Sequence, residues 1–145
     1  ITSLDLDAGR QEQFNLKLQR KYKEIEEKEV RFEKIACDDA EYLLVAYGSS
    51  SRICQKVVDM AREKGIKVGL LRPITLFPYP TKAIQAMLGQ LKGILAVEMS
   101  AGQMVEDVRL AVEGKVKVEH YGRMGGMIPT PNDVLKALEE KIIKG

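Results

Sequence analysis

The segment Gly48-Ser49-Ser50-Ser51 contains the residue types of a small anion-binding loop. A glycine, three hydroxyl groups and the start of a helix can hold an anion through backbone N–H groups and the positive end of the helix dipole. The segment lacks, however, the glycine spacing of a dinucleotide-binding motif and the lysine of a P-loop. Because a turn from a strand into a helix needs glycine and serine in any case, a turn with a helix cap is the favoured interpretation.

Two further loops carry candidate binding residues. Gly102 and Gln103 lie in a turn, residues 100–103, that follows an apolar segment. Gly122 and Arg123 begin a glycine-rich segment with the sequence GRMGG that precedes a proline-bounded helix. Three glycines and an arginine are equally compatible with a loop held close to a phosphate or to another subunit, and with a flexible connection.

The remaining reactive side chains do not form a catalytic or metal-binding set. His120 is the only histidine, so it cannot build a metal cluster, and a structural role is favoured. Cys37 and Cys54 form no C-x-x-C motif and cannot hold an iron–sulfur cluster alone. Glu98 closes an apolar run, where burial is expected to raise its pKa and suit it to acid–base work, although no partner is evident. We therefore predict no catalytic residue and no metal ligand.

The composition is that of one ordinary domain that acts within a larger protein. The chain has 145 residues, is 45% apolar and carries a formal net charge of +2. The small net charge argues against nucleic acid as a partner, and no apolar run approaches the ~18–20 residues that span a membrane. Two cysteines without a disulfide framework indicate a reducing, cytoplasmic location. No signal peptide begins the sequence. Because the chain opens on Ile1 and has no methionine before Met60, we expect it to be a piece of a longer protein.

Apolar runs of strand length alternate with amphipathic segments from residue 38 onward. This alternation predicts a mostly parallel sheet with helices on both faces. The expected strands are 42–47, 67–71, 94–99 and 116–121, and the expected helices are 49–64, 81–91, 103–112 and 133–143, with the serines at 49–51 as N-caps. In such a sheet ligands bind beyond the carboxyl ends of the strands, where the strand order reverses. We expect that reversal between strands 42–47 and 94–99, so that loops 48–52 and 100–103 face the same crevice.

The N-terminal region has a different composition. We expect residues 1–9 to form a frayed N-terminal segment. Residues 10–34 have mostly charged or amide side chains. A narrow apolar stripe runs through this region at helical spacing: Phe14, Leu18, Tyr22 and Ile25. A solvated helix with i,i+4 ion pairs is favoured over a helix that lies on another surface. The sequence therefore divides into a linker and helix, residues 1–29, and a domain, residues 30–145.

Four segments of the sequence resemble a known enzyme family. They are YLLVAYGS at 42–49, GIKVGLLRPITLFP at 65–78, VEM at 97–99 and GQM at 102–104. From about Lys28 to Lys144 the chain resembles the C-terminal part of the α subunit of 2-oxoacid:ferredoxin oxidoreductases of the 2-oxoisovalerate and 2-oxoglutarate types. The resemblance implies the fold of the transketolase C-terminal domain, a three-layer α/β/α arrangement with a five-stranded mixed sheet. Its one antiparallel strand would be Val30–Ala36, beside Lys67–Leu71.

The resemblance also implies the activity of a parent enzyme. That enzyme would oxidatively decarboxylate a 2-oxoacid with thiamine diphosphate, Mg²⁺ and coenzyme A, and pass electrons through iron–sulfur clusters to ferredoxin. The family's cofactor-binding and cluster-binding motifs are not in this sequence, so no catalytic or cofactor residue is carried over. The implied role is structural: the domain would pack against the subunit's N-terminal domain and against the β and iron–sulfur subunits.

Two alternatives stay open at this point. The chain is also compatible with a module that binds a small anion or coenzyme A through its loops. It is further compatible with the equivalent domain of another thiamine enzyme, such as transketolase or a branched-chain dehydrogenase, because the LRP strand end at 71–73 occurs there too. The LFPYP segment at 76–80 favours the ferredoxin-linked family.

Overall fold

Five strands form one mixed sheet in the computed structural model, which describes residues 6–145. The strands are β1 (Phe32–Ile35), β2 (Tyr42–Ala46), β3 (Val68–Pro73), β4 (Gly93–Glu98) and β5 (Lys117–Gly122). Their order is β1-β3-β2-β4-β5, with β1 antiparallel to β3 and the other pairs parallel. The five-stranded mixed sheet and the single antiparallel strand at its edge are thus confirmed.

Helices cover both faces of the sheet. They are α1 (Ala8–Lys28), α2 (Gly48–Glu63), α3 (Thr81–Gln85), α4 (Met104–Val112) and α5 (Pro131–Leu138), which continues as a π-helix over Glu139–Ile143. Side chains alternate along each strand, so Leu43 and Val45 pack with α3 and α4, whereas Leu44 packs with α2 and α5. All three are fully buried. The three central strands, β2, β3 and β4, are mainly apolar because both of their faces are covered, whereas β1 and β5 at the two edges contain charged residues.

Two helix boundaries differ from the sequence prediction. The helix expected over 81–91 ends at Gln85, since the following N–H groups bond three residues back instead of four, as Met87 does to Ile84. The helix after β2 begins at Gly48, so the serines expected as N-caps lie inside its first turn. Its N-cap is Tyr47, whose side chain makes no capping bond.

The helix α1 is solvated along its length. None of its residues is buried, and it begins at Ala8, where the Asp7 side chain accepts a hydrogen bond from the Arg10 N–H. Of residues 1–9, which were expected to be frayed, residues 1–5 lie outside the described residues. Ala8 and Gly9 already belong to α1. The structure shows no i,i+4 ion pair within Ala8–Lys28; the ion pairs nearest to this helix join Arg10 to Asp7, three residues apart, at 3.9 Å and Arg31 to Glu29 at 3.2 Å. No helix in residues 6–145 is long and apolar enough to cross a membrane.

Candidate functional site

The carboxyl ends of the parallel strands bring three loops to one edge of the sheet, here called the carboxyl edge. β2 pairs with β3 on one side and β4 on the other, so the chain direction across the sheet reverses between β2 and β4, as expected. The loop after β2 therefore lies beside the loop after β4, and the loop after β5 lies on its far side. All eight candidate residues lie at this edge: four in the first turn of α2, two in the loop after β4, one at the end of β5 and one in the loop that follows it.

The loop after β2 is built as a tight turn into α2. Gly48 has φ +55°, a left-handed conformation that favours glycine. The Ser51 hydroxyl donates to the Gly48 carbonyl at 2.7 Å, and Ser50 and Ser51 are buried. Their packing accounts for two of the three serines, whereas Gly48 and Ser49 are exposed at the start of the helix. Anion binding at this loop stays a prediction.

The carboxylate of Glu98 at the carboxyl edge is buried and extensively hydrogen-bonded. Its side chain has no solvent exposure. One of its oxygens accepts from the Ser100 hydroxyl at 2.9 Å and from the Met104 N–H at 3.0 Å. The other accepts from the Val105 N–H at 3.0 Å, and the Gln103 N–H lies 3.1–3.2 Å from both. Glu98 thus caps the N-terminus of α4 from inside the protein, where the helix dipole favours a negative charge.

These hydrogen bonds correct the expectation that burial raises the pKa of Glu98. Desolvation does raise it, but the N–H groups of Val105, Gln103 and Met104 and the Ser100 hydroxyl stabilise the ionised form. Together they hold the pKa of Glu98 below its ordinary value. The group is therefore a structural carboxylate and is poorly suited to taking up a proton near neutral pH.

Three further polar groups surround Glu98, and two of them were not singled out from the sequence. His120 Nε2 lies 3.6 Å from a Glu98 carboxylate oxygen but is buried without a hydrogen-bond partner among the described residues. The Tyr79 hydroxyl is equally buried and unpartnered, and burial, with the charges of Asp107 and Glu98, raises its pKa. Burial and the Glu98 charge also raise the pKa of Asp107. For the two groups that were not singled out, the only unusual feature of the sequence is that Tyr79 stands between two prolines, at 78 and 80.

The start of the glycine-rich segment is explained by close packing. A Cβ atom at Gly122 would overlap the Ser100 carbonyl oxygen and lie 2.5 Å from His120 Cε1. The Arg123 N–H donates to the Glu98 carbonyl at 3.3 Å, which continues the β4–β5 pairing by one residue. Glycine at position 122 therefore allows the loops after β4 and β5 to touch, whereas Gly125, with φ +63°, supports a turn farther out.

Neither cysteine offers reactive chemistry. Burial raises the pKa of the Cys37 thiol and raises that of Cys54 to about 12. Cys54 has no solvent exposure and Cys37 has 4%. No group of three or more potential metal-ligating side chains occurs among residues 6–145. The four cysteine or histidine ligands that usually hold an iron–sulfur cluster are therefore not gathered in the described part of this chain.

The chain matches a family of known proteins over most of its length. Residues 40–134 fit the family model described as pyruvate:ferredoxin oxidoreductase core domain II. The chain is 49% identical over 140 residues to the ketoisovalerate oxidoreductase subunit VorB of Methanothermobacter marburgensis, covering 97% of this chain and 40% of that protein. It is 33% identical over 101 residues to the 2-oxoglutarate synthase subunit KorA of the same organism, covering 70% of this chain and 27% of that protein. The chain thus spans two fifths or less of these relatives.

Solved structures show the same fold. A chain of the 2-oxoglutarate:ferredoxin oxidoreductase from Magnetococcus marinus, with 2-oxoglutarate, coenzyme A and succinyl-CoA bound, superimposes with a TM-score of 0.80. That match has 20% sequence identity and covers 94% of this chain and 24% of the other. A split-gene transketolase, described as an inactive beta4 tetramer, gives a TM-score of 0.66 at 15% identity and covers 79% of this chain and 41% of the other. The expected transketolase-like architecture is confirmed.

Proposed function

Because this chain belongs to the pyruvate:ferredoxin oxidoreductase core domain II family, we propose that it is a structural domain, without catalytic residues of its own, in the α subunit of a 2-oxoacid:ferredoxin oxidoreductase. The parent enzyme decarboxylates a 2-oxoacid oxidatively, transfers the acyl group to coenzyme A and reduces ferredoxin. In this proposal other parts of the enzyme bind thiamine diphosphate, Mg²⁺ and the iron–sulfur clusters. The N-terminal domain of the same subunit and the β and iron–sulfur subunits are the protein partners.

The observation that carries this proposal is the 49% identity to a ketoisovalerate oxidoreductase subunit along 97% of the chain. The identity to 2-oxoglutarate synthase subunits is lower and covers less of the chain. We therefore propose 2-oxoisovalerate, a branched-chain 2-oxoacid, as the substrate of the parent enzyme. Residues 1–29 serve as linker and helix and residues 30–145 as the packed domain. A cytoplasmic location belongs to the same proposal and accords with two unpaired cysteines.

The structural part of the proposal is supported by the polar groups at the carboxyl edge. The Glu98 carboxylate is engaged by hydrogen bonds from its own chain, and its lowered pKa keeps it ionised. The His120 ring packs against Gly102 in the loop after β4 and against Gly122 at the end of β5. A Cβ atom added at either glycine would lie within 4 Å of His120 Cε1. The contacts of Glu98 and His120 within the domain therefore support a structural role for these two groups.

The test uses the parent polypeptide assembled with its partner subunits. Reduction of a viologen dye is followed with coenzyme A and with 2-oxoisovalerate, 2-oxoglutarate or pyruvate. We expect the highest kcat/KM with 2-oxoisovalerate, and we expect His120→Gln to leave kcat within about twofold of the unsubstituted enzyme. A fall of about 100-fold or more in a correctly assembled His120→Gln enzyme would indicate a catalytic role and contradict the proposal.

Anion binding at the loop after β2 is a second candidate function. The first N–H groups of α2 have no side-chain cap, and Gly48 and Ser49 expose this helix start to solvent. A phosphate group, such as one of coenzyme A, is the kind of ligand that such N–H groups accept.

Ser49→Asp separates the two functions. A carboxylate in the first turn stabilises the helix by about 0.3–1 kcal/mol but repels a bound anion. If the loop binds coenzyme A, the KM for coenzyme A rises in the assembled Ser49→Asp enzyme while stability is kept, and the neutral Ser49→Asn control behaves as the unsubstituted enzyme. An unchanged KM for coenzyme A in Ser49→Asp would exclude this candidate.

A further inference from the structure

Exposed apolar side chains are concentrated at the carboxyl edge. They lie in residues 74–77 after β3, at Met99 after β4, and in residues 124–128 after β5, which together we call the edge patch. Phe77 and Ile128 are 63% and 64% exposed. Among the described residues, the other strongly exposed large apolar side chains are Leu110 on α4, Phe32 beside the patch, and those between Leu6 and Tyr22. Exposed large apolar side chains gathered on one edge of a sheet mark an interaction site.

The opposite edge of the sheet, where the parallel strands begin, has the chemistry of a surface that faces water. Charged side chains there pair with one another: Arg62 with Asp39 at 2.6 Å, Lys67 with Glu41 at 3.7 Å, and Lys115 with Glu113 at 2.8 Å. Among the described residues, the two edges therefore differ, because most of the exposed large apolar side chains of the sheet and its loops lie at the carboxyl edge.

Among the described residues, the charged groups without an ion pair at the carboxyl edge include two arginines, besides Asp107 and Asp133 in the first turns of α4 and α5. Arg52, near the start of α2, and Arg123, at the end of β5, make no ion pair with any described carboxylate. By contrast, Arg72 pairs with Glu33 at 2.9 Å across the β1–β3 ladder. Arg123 is half-buried, and a surface that covered this edge would remove its guanidinium from water, which is costly unless a carboxylate satisfies it. A surface that covers this edge should therefore be apolar and should present carboxylates to Arg52 and Arg123.

The helix α1 connects the edge patch to the part of the polypeptide that precedes it. The Tyr22 ring meets Phe77 edge to face, with ring centroids 6.1 Å apart and an interplanar angle of 89°. The helix begins at Ala8, about 20 Å from Tyr22 along its axis. A domain joined to the start of α1 would thus be tethered within reach of the patch, which raises its effective concentration there.

We propose that the edge patch is the docking surface for the domain that precedes α1 in the parent subunit, through an apolar surface bearing carboxylates opposite Arg52 and Arg123. The proposal rests on the proposed function, because it requires the chain to be part of a longer subunit. It specifies the face through which the structural domain holds its neighbour: the carboxyl edge with α1, and not the ion-paired edge.

The three methionines of the patch, Met99, Met124 and Met127, are built-in reporters of the test. The parent polypeptide is produced without its partner subunits, treated with dilute hydrogen peroxide, and analysed for methionine sulfoxide by peptide mass spectrometry. Leu110→Met supplies a matched exposed methionine away from the patch. We expect the three patch methionines to oxidise at least about 10-fold more slowly than Met at position 110, since buried thioethers are shielded from oxidant.

A charge reversal tests the contribution of the arginine. Arg123→Glu should speed oxidation of the patch methionines, because it places like charges together at the docked surface. Lys56→Glu, a charge reversal on the exposed face of α2, should leave the rates unchanged. Equal rates in the Arg123→Glu and Lys56→Glu proteins would overturn the assigned charge complementarity.

The other outcomes also decide the proposal. Patch methionines that oxidise as fast as Met at position 110 overturn it. Patch methionines protected only in the assembled complex, or only at high protein concentration, assign the surface to another subunit or to a second copy and overturn it as well. The oxidation rates decide only where the preceding domain docks. The proposed function is decided separately, by the turnover of 2-oxoacids by the assembled complex.

Discussion

Replacing Glu98 by glutamine should destabilise the domain through the start of α4. The glutamine amide has the same shape but only one accepting oxygen, so its NH₂ group must face N–H donors that the carboxylate now satisfies. The less heavily bonded oxygen of Glu98 accepts from Val105 and Gln103, at 3.0 and 3.2 Å. Charge-assisted hydrogen bonds contribute about 1.5–3 kcal/mol each, partly offset here by relief of a buried charge, which gives a loss of about 3 kcal/mol.

Chemical denaturation measures this loss directly, and the pH dependence supplies its signature. Folding lowers the pKa of Glu98 from 4.5, so the folded state binds that proton more weakly than the unfolded state. Its stabilising contribution is therefore complete above about pH 5 and is lost as the pH falls below the ordinary value. We expect Glu98→Gln to lower the melting temperature by about 10 °C near pH 7, with a smaller difference from the unsubstituted protein at pH 3.

The matched control is Glu106→Gln, which removes an exposed carboxylate from the first turn of the same helix. Glu106 pairs with Arg109 at 2.7 Å, and both side chains are largely exposed, so its loss should cost under about 1 kcal/mol. If Glu98→Gln and Glu106→Gln have similar free energies of unfolding and the same pH profile, the internal capping role assigned to Glu98 is refuted.

Three other substitutions or modifications test the packing around the site. Gly122→Ala should cost about 2 kcal/mol or more in urea denaturation, because its Cβ overlaps the Ser100 carbonyl, whereas Gly89→Ala, with open space at its Cβ, should be tolerated; equal stabilities would contradict the close packing of the two loops. Cys54, whose pKa burial raises to about 12, should not react with a thiol reagent at pH 8 until denaturant is added, and prompt labelling of the folded protein would contradict its burial. Arg62→Met should cost about 2 kcal/mol, since it removes donors to two backbone carbonyls at 2.8 and 2.9 Å, and a change in unfolding free energy near zero would refute that role.

The sheet was predictable because its central parallel strands, β2, β3 and β4, are short, mainly apolar runs that few other structures accommodate. The run from Tyr42 to Ala46, for example, has no polar position because helices cover both of its faces. Helix ends were less predictable. The segment after Gln85 keeps helical composition, yet tighter turns end the helix there, which depends on tertiary packing more than on local preference.

The candidate site was predictable in position but not in chemistry. The order of the strands places the candidate loops at one edge, and that order followed from the resemblance. The direction of the Glu98 pKa shift depends on how residues 100–105 fold back over the carboxylate, which the spacing alone does not reveal. Tyr79 and Asp107 reach the same cluster from the loop after β3 and from α4, so only the tertiary structure shows that they share the field of Glu98.

Calorimetric titration of this chain with thiamine diphosphate and Mg²⁺ tests most directly the claim that the domain supports an enzyme without binding its cofactor. Circular dichroism first establishes that the chain has its helices and strands. We expect no heat beyond dilution, because the family's diphosphate-binding motif is not in this sequence. Tight, Mg²⁺-dependent binding by the folded chain would contradict that claim.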